Sequence, residues 1–169
     1  MEVYPLVMDK TTGQVREMQP SDTLAVYSKE VDFRNMTSDE TINVIKKCMP
    51  VYVSSADKVK LGNATAPVSS KIRGLAMKSA NPGVVIPVQG SGALSATKQE
   101  WDEALGVDIN AVGYSPIGLT PGVDYFLGLG EGRISATPPA SAGQTIVYLG
   151  TADSPETMDV DIDRAIALS

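Results

Sequence analysis

The chain has 169 residues and a formal net charge of −6 at pH 7, and 43% of its residues are hydrophobic although only 5% are aromatic. This length suits one folded domain, or one domain with an extended segment, and the 15 Gly and 11 Pro residues are typical of a turn-rich β protein. The acidic balance, with no basic run longer than Lys46-Lys47, disfavours direct binding of nucleic acid, and the lack of histidine removes the commonest general base and metal ligand.

Residues 1–41 are predicted to form an N-terminal unit, a hairpin followed by an extended arm or linker. Residues 3–8 and 14–18 are two short strands around a turn, and the proline of the first strand suits a sheet edge. Residues 24–27 are extended, whereas residues 28–41 are polar without a clean period and indicate a linker or surface loop. The N-terminus lacks the basic and apolar regions of a secretory signal, so we expect folding in a reducing cytoplasm.

Residues 42–169 are predicted to form the main domain, in which short apolar or alternating runs are separated by Gly, Pro, Asn and Asp turns. Gly90-Ser91-Gly92 is expected to end one strand, and Thr120-Pro121-Gly122 predicts a type II turn before another. We therefore expect a mainly β protein, a small antiparallel β-barrel or sandwich of about eight to ten short strands with one short α-helix. The predicted strands of this domain are 42–45, 49–53, 58–61, 71–77, 84–89, 123–127, 133–137, 145–149 and 158–162.

One segment, near residues 96–105, changes to a helical period. Thr97 and Glu100 stand at the spacing of a capping box, although Ser95 could instead cap the helix one turn earlier. Gly106 is a natural residue to end the helix in the left-handed conformation. These signals predict a short amphipathic helix.

The only tryptophan lies on this predicted helix. Trp101, Ala104 and Leu105 form an apolar stripe at helical spacing. We expect Trp101 to plug one end of the barrel; the alternative is a tryptophan that stacks on a ligand. Since the helix is short, it can cover only a small part of a β core.

Two features resemble reactive motifs and favour structural roles. Cys48, the only cysteine, cannot form an internal disulfide, and we interpret it as a buried, inert strand residue rather than a thiol activated by Lys47. The run Gly128-Leu-Gly130-Glu-Gly132 precedes a strand rather than a helix, so it predicts a hairpin turn and not a phosphate-binding loop.

The acidic residues offer one possible metal site and no acid/base pair. Asp159, Asp161 and Asp163 alternate with aliphatic residues, so a strand would place all three on one face. Two interpretations stay open: a Ca²⁺ site, or a solvent-facing strand whose charges discourage edge pairing. Asp102 and Glu103 are adjacent on the predicted helix and point in different directions. We therefore predict no catalytic residue, metal or cofactor, and the sequence argues against an enzyme.

Several short segments follow one another in a recognisable order, and residues 28–41 lie outside them. They are 4–9 (YPLVMD) with 13–24 (GQVREMQPSDTL), 49–61 (MPVYVSSADKVKL), 96–101 (ATKQEW), 118–127 (GLTPGVDYFL) with 132–138 (GRISATP), and 147–152 (VYLGTA) with 158–162 (MDVDI). In this order the chain resembles the capsid decoration (cement) and head-fibre proteins of tailed bacteriophages. It departs from that family at 108–117, which stand where Gly-Gly often precedes Leu-Thr-Pro-Gly.

The resemblance implies a non-catalytic structural virion protein, made in the host bacterial cytoplasm. It would bind the outer surface of a phage capsid and stabilise it, with the major capsid protein and further copies of itself, as a homotrimer, for partners. No nucleic acid or membrane partner is expected. A segment in the first 41 residues could pair with a partner's sheet. The residues expected at this interface are Tyr4, Leu6, Met8, Leu24, Val26 and Tyr27.

A second function stays open beside the first. A receptor- or glycan-binding module of a head or tail fibre would also be a β protein without catalytic groups. It would need exposed aromatic side chains, for which Tyr114, Tyr125 and Phe126 are the candidates.

Overall fold

The computed structural model describes residues 6–8, 15–17 and 32–169, with side chains from residue 32 onward. The described chain is mainly β with one short helix, as the sequence predicted. Its elements are β1 (Leu6–Met8), β2 (Val15–Glu17), β3 (Asp32–Ser38), β4 (Pro50–Ser55), β5 (Lys58–Leu61), β6 (Ile72–Ala76), β7 (Val85–Ser95), α1 (Lys98–Leu105), β8 (Asp124–Leu127), β9 (Ile134–Ser135), β10 (Thr145–Ile146), β11 (Tyr148–Ser154), β12 (Thr157–Asp161) and β13 (Ile166–Ala167). The predicted N-terminal hairpin is present as β1 paired with β2.

Five strands close into a barrel in the order β3-β5-β4-β6-β7, because β3 also pairs with β7. All of these pairs are antiparallel except β3 with β5. Alternation along each strand turns apolar side chains inward, as Val59 and Leu61 are buried while Lys58 is exposed. The cluster of buried residues formed mainly by these strands contains Met36, Ile45, Met49, Val51, Val59, Leu61, Ala76, Ala80, Ile86 and Val88. We call it the barrel core.

The sequence analysis missed the strand that closes the barrel, and it also missed the short β13 at Ile166–Ala167. Residues 28–41 were predicted as a linker or surface loop, but Asp32–Ser38 pairs with β7 on one edge and with β5 on the other. Only Met36 and Ser38 of this strand are buried, so its apolar alternation is too short to be visible in the sequence. The prediction of a strand at 42–45 is also wrong, since that segment forms only an isolated bridge from Ile45 to Ala80.

The long strand β7 joins the barrel to the rest of the sheet. One of its edges pairs with β3, and the other pairs first with β6 and then, from Ser91 to Ser95, with β12. The prediction that Gly90-Ser91-Gly92 ends this strand is therefore wrong. Gly92 has a φ of 87°, a conformation that glycine adopts at little cost, so the strand bends there without breaking its pairing.

A second hydrophobic cluster lies under the strands that β7 adds to the barrel, β12-β11-β8-β9, and under the helix. Trp101 is fully buried there, which excludes a tryptophan that stacks on an exposed ligand. It belongs to this second cluster with Leu94, Leu149 and Met158, and not to the barrel core. We call this cluster the second core.

The local signals at the ends of the helix are confirmed. The Thr97 hydroxyl accepts a hydrogen bond from the Glu100 amide at 3.2 Å, and the Glu100 carboxylate accepts one from the Thr97 amide at 2.8 Å, which completes the capping box. Gly106 ends the helix with a φ of 86°. The predicted type II turn is also present, since the Val123 amide donates to the Thr120 carbonyl and Gly122 has a φ of 76°.

Candidate functional site

The most unusual group in the described chain is the carboxylate of Asp102, which is only 1% exposed. It lies in the middle of α1, and its hydrogen-bond donors lie in the irregular segment 107–118. Its Oδ2 accepts hydrogen bonds from the Tyr114 hydroxyl at 2.7 Å and from the Ile117 amide at 2.9 Å, and its Oδ1 accepts one from the Gly118 amide at 2.9 Å. A buried charge is tolerated when several donors surround it, as they do here.

These hydrogen bonds make Asp102 a structural anchor. Each carboxylate oxygen accepts at least one hydrogen bond from the protein, and the side chain is enclosed by the segment that donates them. Burial, together with the hydrogen bond to Asp102, raises the pKa of Tyr114 to about 12, and its hydroxyl therefore stays protonated and donates at neutral pH. The sequence analysis considered Asp102 only as a possible partner of Glu103. It missed the anchoring role, because donors 12 to 16 residues later leave no local signal.

What Asp102 anchors is a loop rich in exposed aliphatic side chains. We call residues 107–118 the apolar loop. Val107 is 40% exposed, Ile117 is 70% exposed and Val112 is 106% exposed, and residues 109–118 contain no charged side chain. Scattered exposed aliphatic residues are ordinary, but three on one loop held by a buried carboxylate form a preorganised surface.

Basic groups lie at the C-terminal end of α1. Lys46 Nζ contacts the Glu103 carboxylate at 2.7 Å, and the Arg133 guanidinium donates to the main-chain carbonyl of Glu103. Since the last turn of α1 has no basic residue of its own, Arg133 and Lys46 supply the positive charge that favours a helix C-terminus. A cleft of about 360 Å³ lies here, but its two cations and two acids, Glu103 and Asp108, balance one another.

Cys48 is buried, as predicted, but it does not lie in a strand. It occupies a turn with a φ of 67°, and burial raises the pKa of its thiol above the ordinary range. A protonated, fully buried thiol is a poor nucleophile. The reading of Cys48 as a reactive thiol is therefore wrong.

The aspartates of β12 follow the predicted alternation in part. Asp159 is half-buried and Asp161 exposed, opposite the buried Met158 and Val160. However, β12 lies between β7 and β11, so its charges do not protect a sheet edge. Asp163 lies beyond the strand. Within residues 32–169, no three or more acidic or cysteine side chains come together in a way that could hold a metal ion.

The aromatic residues proposed for glycan binding are engaged within the fold. Tyr125 is 2% exposed and its hydroxyl accepts a hydrogen bond from the Thr120 amide at 2.9 Å. Phe126 packs edge-to-face on Tyr148 with ring centroids 6.0 Å apart, and Tyr114 is bonded to Asp102. Only Phe33, which was not among the predicted residues, is an aromatic side chain more than half exposed in the described chain.

The predicted interface residues stay predictions. Tyr4, Leu24, Val26 and Tyr27 lie outside the described residues. Leu6 and Met8 belong to β1, of which only the backbone pairing with β2 is described.

No protein-family model and no curated protein sequence matches this chain. In the part of the chain that the structure describes, no helix is long and apolar enough to cross a membrane. Its prominent features are a β scaffold with two packed cores and an anchored apolar loop.

Proposed function

We propose that this chain is a non-catalytic structural protein of a bacteriophage virion, which binds the outer surface of the capsid and stabilises it. The order of its sequence segments resembles decoration and head-fibre proteins. The observation that carries most weight in the structure is the apolar loop, which three hydrogen bonds to Asp102 tie to the β scaffold's helix. A preordered loop loses little conformational entropy on binding, which suits contact with a protein surface.

The environments of two potentially reactive groups in the described chain are compatible with the same proposal. The buried carboxylate of Asp102 accepts three hydrogen bonds from the protein, and the Cys48 thiol is buried, which raises its pKa. Catalysis needs a group that can exchange a proton or an electron pair with a bound substrate. Neither Asp102 nor Cys48 is exposed to a substrate in solution, since they are 1% and 0% exposed.

In this proposal the partners are the major capsid protein and further copies of the chain, as a homotrimer. A trimer that contacts several capsid subunits multiplies a modest affinity at each contact, because the second and third contacts become intramolecular. The shell is then held together against the pressure of packaged DNA.

Phage particles that lack the chain and are then supplied with the purified protein test the proposal directly. We expect the protein to sediment with the particles and to raise the temperature at which they release DNA, as followed by a DNA-binding dye. An unrelated acidic protein of similar size serves as the control. If the chain neither sediments with the particles nor changes the release temperature, the proposal is wrong.

A receptor- or glycan-binding module is the alternative. Its support in the described chain is reduced to Phe33, which is 54% exposed on β3, since the three predicted aromatic residues are engaged in the fold. Loss of phage adsorption without any change in the stability of the head would favour this alternative.

A further inference from the structure

Part of strand β3 has no pairing partner on one of its two edges in the described chain. The strand on that side, β5, reaches only Thr37 and Ser38, because the Thr37 amide already donates to the carbonyl of Asp57 in the turn between β4 and β5. Residues 32–36 extend beyond that turn and pair only with β7. We call the unpaired side of residues 32–36 the open edge.

The backbone groups of Asn35 point toward this open edge. Asn35 stands opposite Pro87 of β7, which has no N–H group, and the Pro87 carbonyl accepts from the Met77 amide on the far side of β7. Thr37, two residues later, also donates away from β7. Since these directions alternate along a strand, the N–H and C=O groups of Asn35 and Phe33 lie along the open edge.

The β1–β2 hairpin has the complementary deficiency. It forms a separate two-stranded sheet, and neither of its strands pairs with another strand of the described chain. A lone hairpin with strands of three residues is marginally stable in water, and a third strand stabilises it. Residues 18–31 connect the hairpin to β3 and can span up to about 45 Å when extended, which is enough to reach a neighbouring molecule.

We propose that the β1–β2 hairpin of one copy of this chain adds to the open edge of β3 in a neighbouring copy. The inference rests on the self-association proposed above and names the surfaces that produce it. The hairpin gains its third strand, and the open edge gains backbone hydrogen bonds. Within one chain the hairpin and β3 belong to separate sheets, so a second copy is the occupant that meets both needs.

The surroundings of the open edge suit an added strand. The side chains of residues 32–35 are all exposed, and Phe33 is 54% exposed. A strand that pairs with β3 places its own side chains beside the Phe33 ring and removes part of that ring from water. Each copy has one hairpin and one open edge, so the contact is heterologous, and a closed ring of three copies is the homotrimer of the proposed function.

Two substitutions at one position test the open edge. Asn35→Pro removes the N–H group that points to the open edge and leaves the hydrogen bonds to β7 in place, whereas Asn35→Ala keeps this N–H and is the matched control. Sedimentation equilibrium measures the dissociation constant of the oligomer. We expect it to rise at least about tenfold in Asn35→Pro. In Asn35→Ala it should change by less than about twofold. Circular dichroism verifies that both variants keep the fold.

Hydrogen exchange identifies the occupant of the open edge. We expect the amides of Phe33 and Asn35 to become protected as the concentration of the chain rises from micromolar to millimolar. The Thr37 amide, which is bonded within the chain, should be protected throughout and serves as the reference. The double variant Val7→Pro/Arg16→Pro places one proline in each strand of the hairpin. It should abolish the protection at Phe33 and Asn35 without changing exchange at Thr37.

A mixing experiment gives the sharper result. Asn35→Pro keeps an intact hairpin, and Val7→Pro/Arg16→Pro keeps an intact open edge. An equimolar mixture of the two should therefore form a one-to-one heterodimer, although each alone is a monomer.

The inference is overturned if exchange at Phe33 and Asn35 does not depend on concentration. Protection at every concentration would mean that the hairpin of the same chain covers the edge, and protection at none would mean that no copy covers it. An oligomer that persists in Asn35→Pro and in the hairpin variant, or a mixture that stays monomeric, also refutes this interface and leaves the capsid proposal standing. Failure of the chain to bind particles, with concentration-dependent protection intact, does the reverse.

Discussion

The barrel core and the apolar loop are both ordered parts of the chain, but they are held in different ways. In the barrel core, side chains such as Val51, Ile86 and Val88 are each fully buried and share the packing among several strands. In the apolar loop, Val112 and Ile117 are exposed, and the far end of the loop is tied to the helix by three hydrogen bonds to one carboxylate, Asp102. The difference teaches that apolar residues can be held in place without being buried, when a buried acceptor binds donors of the segment that carries them.

The largest expected effect is on the barrel core, where Ile86→Ala tests distributed packing. Ile86 is fully buried, so its truncation removes transfer free energy and leaves a cavity. We expect the free energy of unfolding to fall by about 3 kcal/mol in urea denaturation. Val85→Ala is the control, because Val85 is the neighbouring residue and is 51% exposed. An equal loss in the two variants would show that the barrel interior is not packed as described.

Asp102→Ala tests the single anchor of the apolar loop. It leaves the Tyr114 hydroxyl and the amides of Ile117 and Gly118 without an acceptor, at a cost of about 2 kcal/mol after the loop opens to water. We expect hydrogen exchange at Ile117 and Gly118 to accelerate about 30-fold. Hydrogen exchange at the amides of Val51 and Val88, which belong to the barrel core, should accelerate much less.

The matched control for this anchor is Asp108→Ala, which removes an exposed carboxylate from the loop itself. The Asp108 carboxylate accepts a hydrogen bond from the Asn110 amide at 3.0 Å, so we expect exchange to accelerate at Asn110 and to stay as in the unaltered chain at Ile117 and Gly118. Protection that survives Asp102→Ala would mean that the loop has a second source of order.

Thr97→Ala is expected to have a smaller effect, shared between the helix and the loop. The threonine hydroxyl accepts from the Glu100 amide, and its loss should reduce the free energy of unfolding by about 1 kcal/mol. The anchor Asp102 lies on the same helix, so we expect hydrogen exchange at the amides of Ile117 and Gly118 to accelerate, but by less than in Asp102→Ala. Thr97→Ser, which retains a capping oxygen, should keep nearly full stability in the same denaturation experiment.

The smallest effect is confined to alkaline pH and concerns Tyr114. Its pKa is raised to about 12 by burial and by the hydrogen bond to Asp102, from an ordinary value of about 10. A group whose pKa is higher in the folded state stabilises that state below the unfolded pKa, and the contribution is lost as the pH rises from about 10 toward 12. In the unaltered chain, the protection of the loop amides from hydrogen exchange should therefore decline as the pH rises from about 10 toward 12. In Tyr114→Phe this pH dependence should disappear, as measured by hydrogen exchange.

Much of the fold could be predicted because its signals are local. The capping box at Thr97 and Glu100, the turn at Pro121-Gly122 and the alternation at Val59 and Leu61 each depend on residues within a few positions of one another. The burial of Trp101 followed from the apolar stripe of a helix that must cover a core.

The candidate site was hidden for the opposite reason. The anchor Asp102 finds its donors 12 to 16 residues away, across a loop without a period. Only Met36 and Ser38 of β3 are buried, so the sequence pattern does not show this strand. It becomes recognisable through its pairing with β7. The aromatic residues Tyr125 and Phe126 lie on one strand with a short alternation, and only packing decided that neither is free.

By itself the sequence determined that the chain is a β protein with one capped helix and brief strands, because turns, caps and alternation are encoded by neighbouring residues. The tertiary structure alone decided that Asp32–Ser38 closes a barrel and that β7 runs through its glycines to pair with β12 in the same sheet. It also decided that Asp102 turns an irregular segment into a fixed surface. These outcomes depend on hydrogen-bond partners that are distant along the chain, and their identity emerges only when the backbone has closed around them.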